Sequence, residues 1–244
     1  LQNILEESLS SVTRGIIFRE TVNRFVCLFN PAPGCENETL AELFRANVQK
    51  YSKFTISIGL GNTVRQLSAI SHAYREAIQA VSYHFYAGGN AVFAYENIQA
   101  RGERAQSLQI DRDHELFYSF RAGNKEKTLQ LLDRMFADVS AGNRLPSPEI
   151  LAGDFLELAY MLLRVLREKL SDAELEPIER QIRAHRAGGA GSLQLLRQLL
   201  ETVCAEGCQL IERQRTTESE AVINATMQYV RDNLDKDVSM HNCA

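Results

Sequence analysis

The sequence predicts an α+β chain with a mixed region up to residue 104 and an all-helical region after it. Three observations predict this. Short apolar runs with β-branched or alternating residues occur only before residue 100, at 16–18, 25–29, 54–61 and 91–95. From residue 110 to 234 apolar residues recur instead every three to four positions, the period of a helix face. Glycine and proline breaks divide that second region into helix-sized pieces.

The elements follow in order. Leu1, Ile4, Leu5, Leu9 and Val12 lie on one helical face, and Gly15 ends that pattern. The apolar runs 16–18 and 25–29 flank a polar stretch and predict a β-hairpin; the prolines and glycine of 30–34 predict a loop. Leu40, Leu43, Phe44 and Val48 mark a helix, 54–61 a strand ending at glycines, and 68–85 a further helix. A turn at Gly88-Gly89-Asn90 and a strand over 91–95 complete the first region. Beyond it, helices are expected around Leu116, Phe117 and Phe120, from Leu129 to Val139, over 150–170, around Leu175, Ile178 and Ile182, over 193–210 and over 218–234. These stripes read as the core of a helical bundle rather than as a cofactor site.

Composition narrows the function classes. The 244 residues are 45% hydrophobic and 24% charged, which excludes a disordered tail or a fibre. No apolar run reaches the length of about 20 residues that a membrane span needs. A net charge of −4 argues against a segment that grips nucleic acid by itself. Five cysteines, an odd number with no C-x-x-C pair, read as reduced thiols of a cytoplasmic protein. The chain opens at Leu1 without a leader pattern and reads as a fragment.

The first region resembles the GGDEF domains, the nucleotide-cyclase-like family. Arg19 and Glu20, then Thr21-Val22-Asn23-Arg24-Phe25, occupy the place of the family's Gly-Gly-Asp-Glu-Phe hairpin turn. Thr55-Ile56-Ser57-Ile58-Gly59 resembles its T-x-S-x-G strand, and Ala77, Ala80, Gly88 and Asn90 its last helix and turn. The resemblance implies a nucleotide-cyclase-like α/β fold whose first strand, with a metal-ligating Asp, lies ahead of Leu1, so that a sheet edge is left exposed. It also implies a degenerate site. Diguanylate synthesis needs carboxylates to hold divalent metal against a triphosphate. Here Asn23 stands for the metal-binding acid and Arg24 reverses the charge of the next one. Thr21 and Val22, both β-branched, replace glycines that tolerate positive φ, and Phe85 falls where the family places a lysine. No catalytic residue, cofactor or metal site is expected, and the chain is read as no enzyme.

Ser71-His72-Ala73-Tyr74-Arg75-Glu76-Ala77 followed by 88–98 resembles more closely the domain upstream of the DNA-binding module in bacterial AraC-type transcription regulators. The other end agrees. Ile223, Met227 and Val230 share one face of a helix, and Asp235 to Met240 resembles the acidic turn and second-helix start of an AraC-type DNA-binding domain, with Ser239 as cap. The implied organisation is a degenerate GGDEF-like domain over 1–104, a helical connector over 105–218, and the start of a truncated DNA-binding domain over 219–244. The implied role is transmission from an upstream sensor or receiver domain to DNA, which is bound beyond Ala244 and not within the chain. The protein is expected to be a cytoplasmic homodimer, or the cytoplasmic part of a membrane-anchored regulator, with no direct membrane insertion of this segment. The alternatives are a nucleotide-binding or residual cyclase domain and a helical protein-docking module.

Four other groups read as ordinary structure. Asp111-Arg112-Asp113-His114 reads as a solvated helix start. Arg180, Arg183 and Arg186 read as an exposed helix face. His84 reads as packing or interface, and Cys204 and Cys208 read as buried or half-buried thiols at helical spacing.

Overall fold

A computed structural model describes residues 1–31, 34, 36–101, 114–141, 145–187 and 191–232. Contacts divide the chain into two compact units: Leu1–Leu108 with Val139–Asp154 and Gly188–Leu196, and Gln109–Asp138 with Phe155–Ala187 and Arg197–Ala244.

In the first unit, α1 (Gln2–Ser10) leads into β1 (Gly15–Thr21) and β2 (Arg24–Phe29), an antiparallel hairpin in which Ile17 pairs with Cys27 and Ile16 with Leu28. Alternation decides its faces: Ile17, Phe25, Cys27 and Phe29 turn to a core formed with Leu5 and Leu9 of α1. α2 (Asn37–Tyr51) adds Leu40, Phe44 and Val48 to that core. β3 (Ile58–Leu60) runs parallel to β4 (Val92–Ala94), joined by α3 (Ile70–Ser82) and α4 (His84–Ala87). α5 (Tyr95–Arg101) follows.

The expected strand over 54–61 is thus confined to three residues. A strand extends as far as its partner, and β4 offers partners only to 58–60. Likewise the helix expected over 68–85 divides into α3 and α4 after a single 3₁₀ turn at Leu67–Ala69. The two sheets hold two strands each, so β2 and β3 each pair on one edge only among the described residues.

α3 packs on β3 without an intervening side chain. A Cβ built on Gly59 would stand 2.0 Å from the carbonyl oxygen of Ala77, and one on Gly61 2.0 Å from that of Ala73. Glycine in the strand and alanine in the helix let the two backbones touch.

The helices from residue 114 onward form the second unit, apart from their residues within 139–154 and 188–196, which count with the first. α6 (His114–Arg121) ends at Gly123, whose φ of +73° suits glycine. The amide of Asn124 donates to the carbonyl of Ser119 at 3.0 Å and closes the turn. Asn124 then caps α7 (Lys125–Ala141): its Oδ1 accepts from the amide of Lys127 at 3.0 Å. α8 (Pro148–Arg167) starts with proline at its first position, where no amide is needed. Phe136 of α7 stacks on Phe155 of α8 with centroids 4.3 Å apart. α9 (Asp172–Ala187) buries Leu175, Ile178 and Ile182. The two helices expected over 193–210 and 218–234 are a single helix, α10 (Leu193–Asp232), 40 residues long. The polar run after Ile211 loses the apolar period but contains no glycine or proline to stop the helix.

The glycine–helix contact yields a direct expectation. Gly59→Ala forces backbone apart and should cost about 2–4 kcal/mol, read as a lower urea midpoint for the first unit. An unchanged midpoint would contradict this packing.

Candidate functional site

The turn of the hairpin is built by Val22 and Asn23, between Thr21 and Arg24, which pair across it. Among the described residues Asn90 is the one non-glycine with positive φ, so this turn is closed without the backbone conformation that glycines permit. Arg19 fastens it: its Nε donates to the carbonyl of Thr21 at 3.0 Å and its Nη2 to that of Val22 at 2.9 Å. The guanidinium thereby occupies two carbonyl oxygens of the turn. Val22 is 77% exposed.

The charged groups near the turn hold one another. Arg24 pairs with Glu20 at 3.3 Å, and the Tyr74 hydroxyl of α3 donates to the same carboxylate. That bond to Glu20 pushes the Tyr74 phenol upward, since losing its proton would place two anions together. Glu20 is therefore engaged by a cation and a hydroxyl. Phe85 is 1% exposed, buried in α4. Asn23 and Arg24 add no carboxylate, and among the described residues no three His, Cys, Asp or Glu side chains gather at metal-binding distances.

Residues of β2 and β3 line a cleft of about 420 Å³. Phe25 and Cys27 line one side, Ile58 and Leu60 the other, with Ala77 and Val81 of α3 above. A second hollow of about 490 Å³ continues it and shares Cys27, Leu60 and Ala77. Among the described residues, neither is lined by an Asp or Glu. Burial pushes the Cys27 thiol up to about 11, so it stays protonated and unreactive at neutral pH.

Sequence reasoning quoted Glu76 as part of a motif but gave it no task. The structure gives it one. Its buried carboxylate accepts from the amide of Asn62 at 2.9 Å and from Asn62 Nδ2 at 3.1 Å, with His72 Nε2 at 3.2 Å. It ties the turn after β3 to α3. The readable signal was the pairing of Gly59-x-Gly61 with Ala73 and Ala77 one helical turn apart.

The remaining groups stand as follows. Arg180 pairs with Glu176 at 2.7 Å and Arg183 with Glu179 at 3.5 Å. His84 Nδ1 lies 2.7 Å from the carbonyl of Val81. Cys204 and Cys208 are buried, and burial lifts Cys204 to about 12. Asp111, Arg112 and Asp113 lie outside the described residues, as do Asp235 to Met240 and the expected cap Ser239.

Comparison with known proteins bears on the first unit most. Residues 1–83 match the family described as GGDEF-like domain. A distant relative is the uncharacterized HTH-type transcriptional regulator YtdP of Bacillus subtilis (strain 168), 26% identical over 139 residues, which are 57% of this chain. The chain covers 18% of that relative's length. No solved structure matches. No described helix is long and apolar enough to cross a membrane.

The Cys27 environment sets a pH dependence. The folded state holds the thiol proton more tightly than the unfolded chain does. Stability is therefore complete below the ordinary thiol pKa and falls as pH rises toward 11. Urea midpoints taken from pH 8 to 11 should decline, and Cys27→Ala should make the decline shallower. Identical slopes for the two proteins would show that Cys27 ionises freely.

Proposed function

We propose that this chain is the signal-transmitting segment of an AraC-type transcription regulator. It couples an upstream sensor or receiver domain to a DNA-binding domain beyond residue 244, without catalysis. The observation that carries the reading is the distant match to an HTH-type transcriptional regulator in a chain whose first 83 residues are GGDEF-like.

Physical features support each part. A cyclase must hold metal against a triphosphate with carboxylates. The turn here offers Asn23 and Arg24, and its carbonyls are held by Arg19. The fold is retained as a scaffold while that chemistry is lost, since function resides in the site rather than in the fold. At the other end, the face formed by Ile223, Met227 and Val230 is suited to be the first buried face of a small helical DNA-binding domain. In this reading residues 1–104 are a degenerate GGDEF-like domain, 105–218 the connector and 219–244 the start of the DNA reader. The protein works in the cytoplasm as a homodimer, the symmetry that paired half-sites about 10 bp apart would require.

Three measurements test the proposal. Incubation with GTP and magnesium should yield no cyclic dinucleotide, and a calorimetric titration with GTP should be flat. Product formation would overturn the reading in favour of an enzyme. The gene should encode two helix-turn-helix units after residue 244, and an unrelated continuation would leave a helical docking module as the better account.

A further inference from the structure

The helix α10 carries two apolar stripes of the same design. The first includes Cys204, Cys208 and Ile211, all buried within the second unit together with Leu200 and Val203. The second is formed by Ile223, Met227 and Val230, with the spacing of four and then three repeated. Ile223 is 57% exposed, Met227 52% and the adjoining Val222 65%. The second pattern lies nineteen residues after the first. At about 100° per residue, that displacement is five full turns and a remainder of about 100°. The second stripe thus faces about a quarter-turn away from the Cys204, Cys208 and Ile211 face, and about a third of a turn from the whole anchoring stripe once Leu200 and Val203 are included.

The stretch between the stripes is polar and helical throughout, and its side chains bond along their own helix. Arg215 Nη1 donates to the carbonyl of Ala122 at 3.1 Å and fixes the point where the packed half ends. After it the hydroxyls turn inward on their own helix: Thr216 donates to the Glu212 carbonyl at 3.0 Å, Thr217 to that of Arg213 at 3.0 Å, and Ser219 to that of Arg215 at 2.8 Å. Gln214 donates to Glu218 at 2.9 Å along the same surface. No glycine or proline follows Gly207 before Asp232. An unbroken helix fixes the angle between whatever it carries at its two ends, whereas a linker with glycine would leave that angle free. An exposed apolar face on an otherwise polar helix calls for a body to cover it.

We infer that α10 is a torsional coupler, a single rod that sets the rotation of the body built on Ile223, Met227 and Val230 relative to the helical unit that grips Leu200 to Ile211. The inference rests on the regulator reading for the identity of that second body, the downstream DNA reader. It goes beyond that reading in assigning the coupling to helical phase. A change in packing around the first stripe then turns the second body instead of merely releasing it.

Two experiments decide it. Amide hydrogen exchange on this chain should show positions 213–221 slowed at least about tenfold against unstructured rates; exchange at unstructured rates would overturn the rod. In the full regulator, one alanine inserted after Thr217 turns the second stripe by about 100°. Seven alanines return it to within about 20° of its original phase. The single insertion should change promoter output by about fivefold or more, and the seven-residue insertion should leave it near the wild-type level. Wild-type output from both insertions, or equal loss from both, would overturn the coupler, because neither follows phase. A wild-type protein that binds no promoter DNA refutes the regulator reading instead, and the exchange result then decides the rod alone.

Discussion

The contact of α3 on β3 is the constraint from which the first unit is built. Gly59 and Gly61 present bare backbone to the carbonyls of Ala73 and Ala77, so helix and strand meet without a side chain between them. Glu76, between those alanines, holds the turn at Asn62 with its buried carboxylate. A buried charge is tolerable only when it is hydrogen-bonded, and here the amide and side chain of Asn62 supply the bonds. With α3 fixed in this way, Tyr74 reaches Glu20 and ties the hairpin to the helix.

The hairpin turn follows from the same economy. A cyclase-like turn keeps glycines and acids so that backbone and metal can approach a nucleotide. Here the side chains serve the turn itself: Arg19 holds its carbonyls, and Arg24 and Tyr74 share the Glu20 carboxylate. The groups at this turn are engaged with one another, which fits a structural hairpin better than a reactive one. The cleft between β2 and β3 mixes apolar side chains with uncharged polar and basic ones, and among the described residues no carboxylate lines it.

Local signals were legible in the sequence and tertiary ones were not. The hairpin could be read because alternation on either side of a polar turn needs no distant partner. The Gly123-Asn124 boundary could be read for a similar reason, since left-handed glycine and an asparagine cap act within a few residues. The extent of β3 could not be read, because Thr55 to Ser57 have strand-like residues but no paired neighbour to make them a strand. The continuity of α10 was missed because an exposed polar helix shows no apolar period, and only the absence of breakers marked it. In the candidate site, the turn residues Thr21 to Phe25 were visible as letters. The clamp by Arg19 and the pin by Glu76 depend on which side chains the fold brings within reach.

In the proposed reading the helical region transmits to a DNA reader. A mobility-shift titration of the full-length protein on the promoter the proposal assigns to it, with residues 110–218 present and deleted, measures that transmission. The account predicts that deletion moves the binding midpoint by about fivefold or more. Coincident midpoints would contradict it.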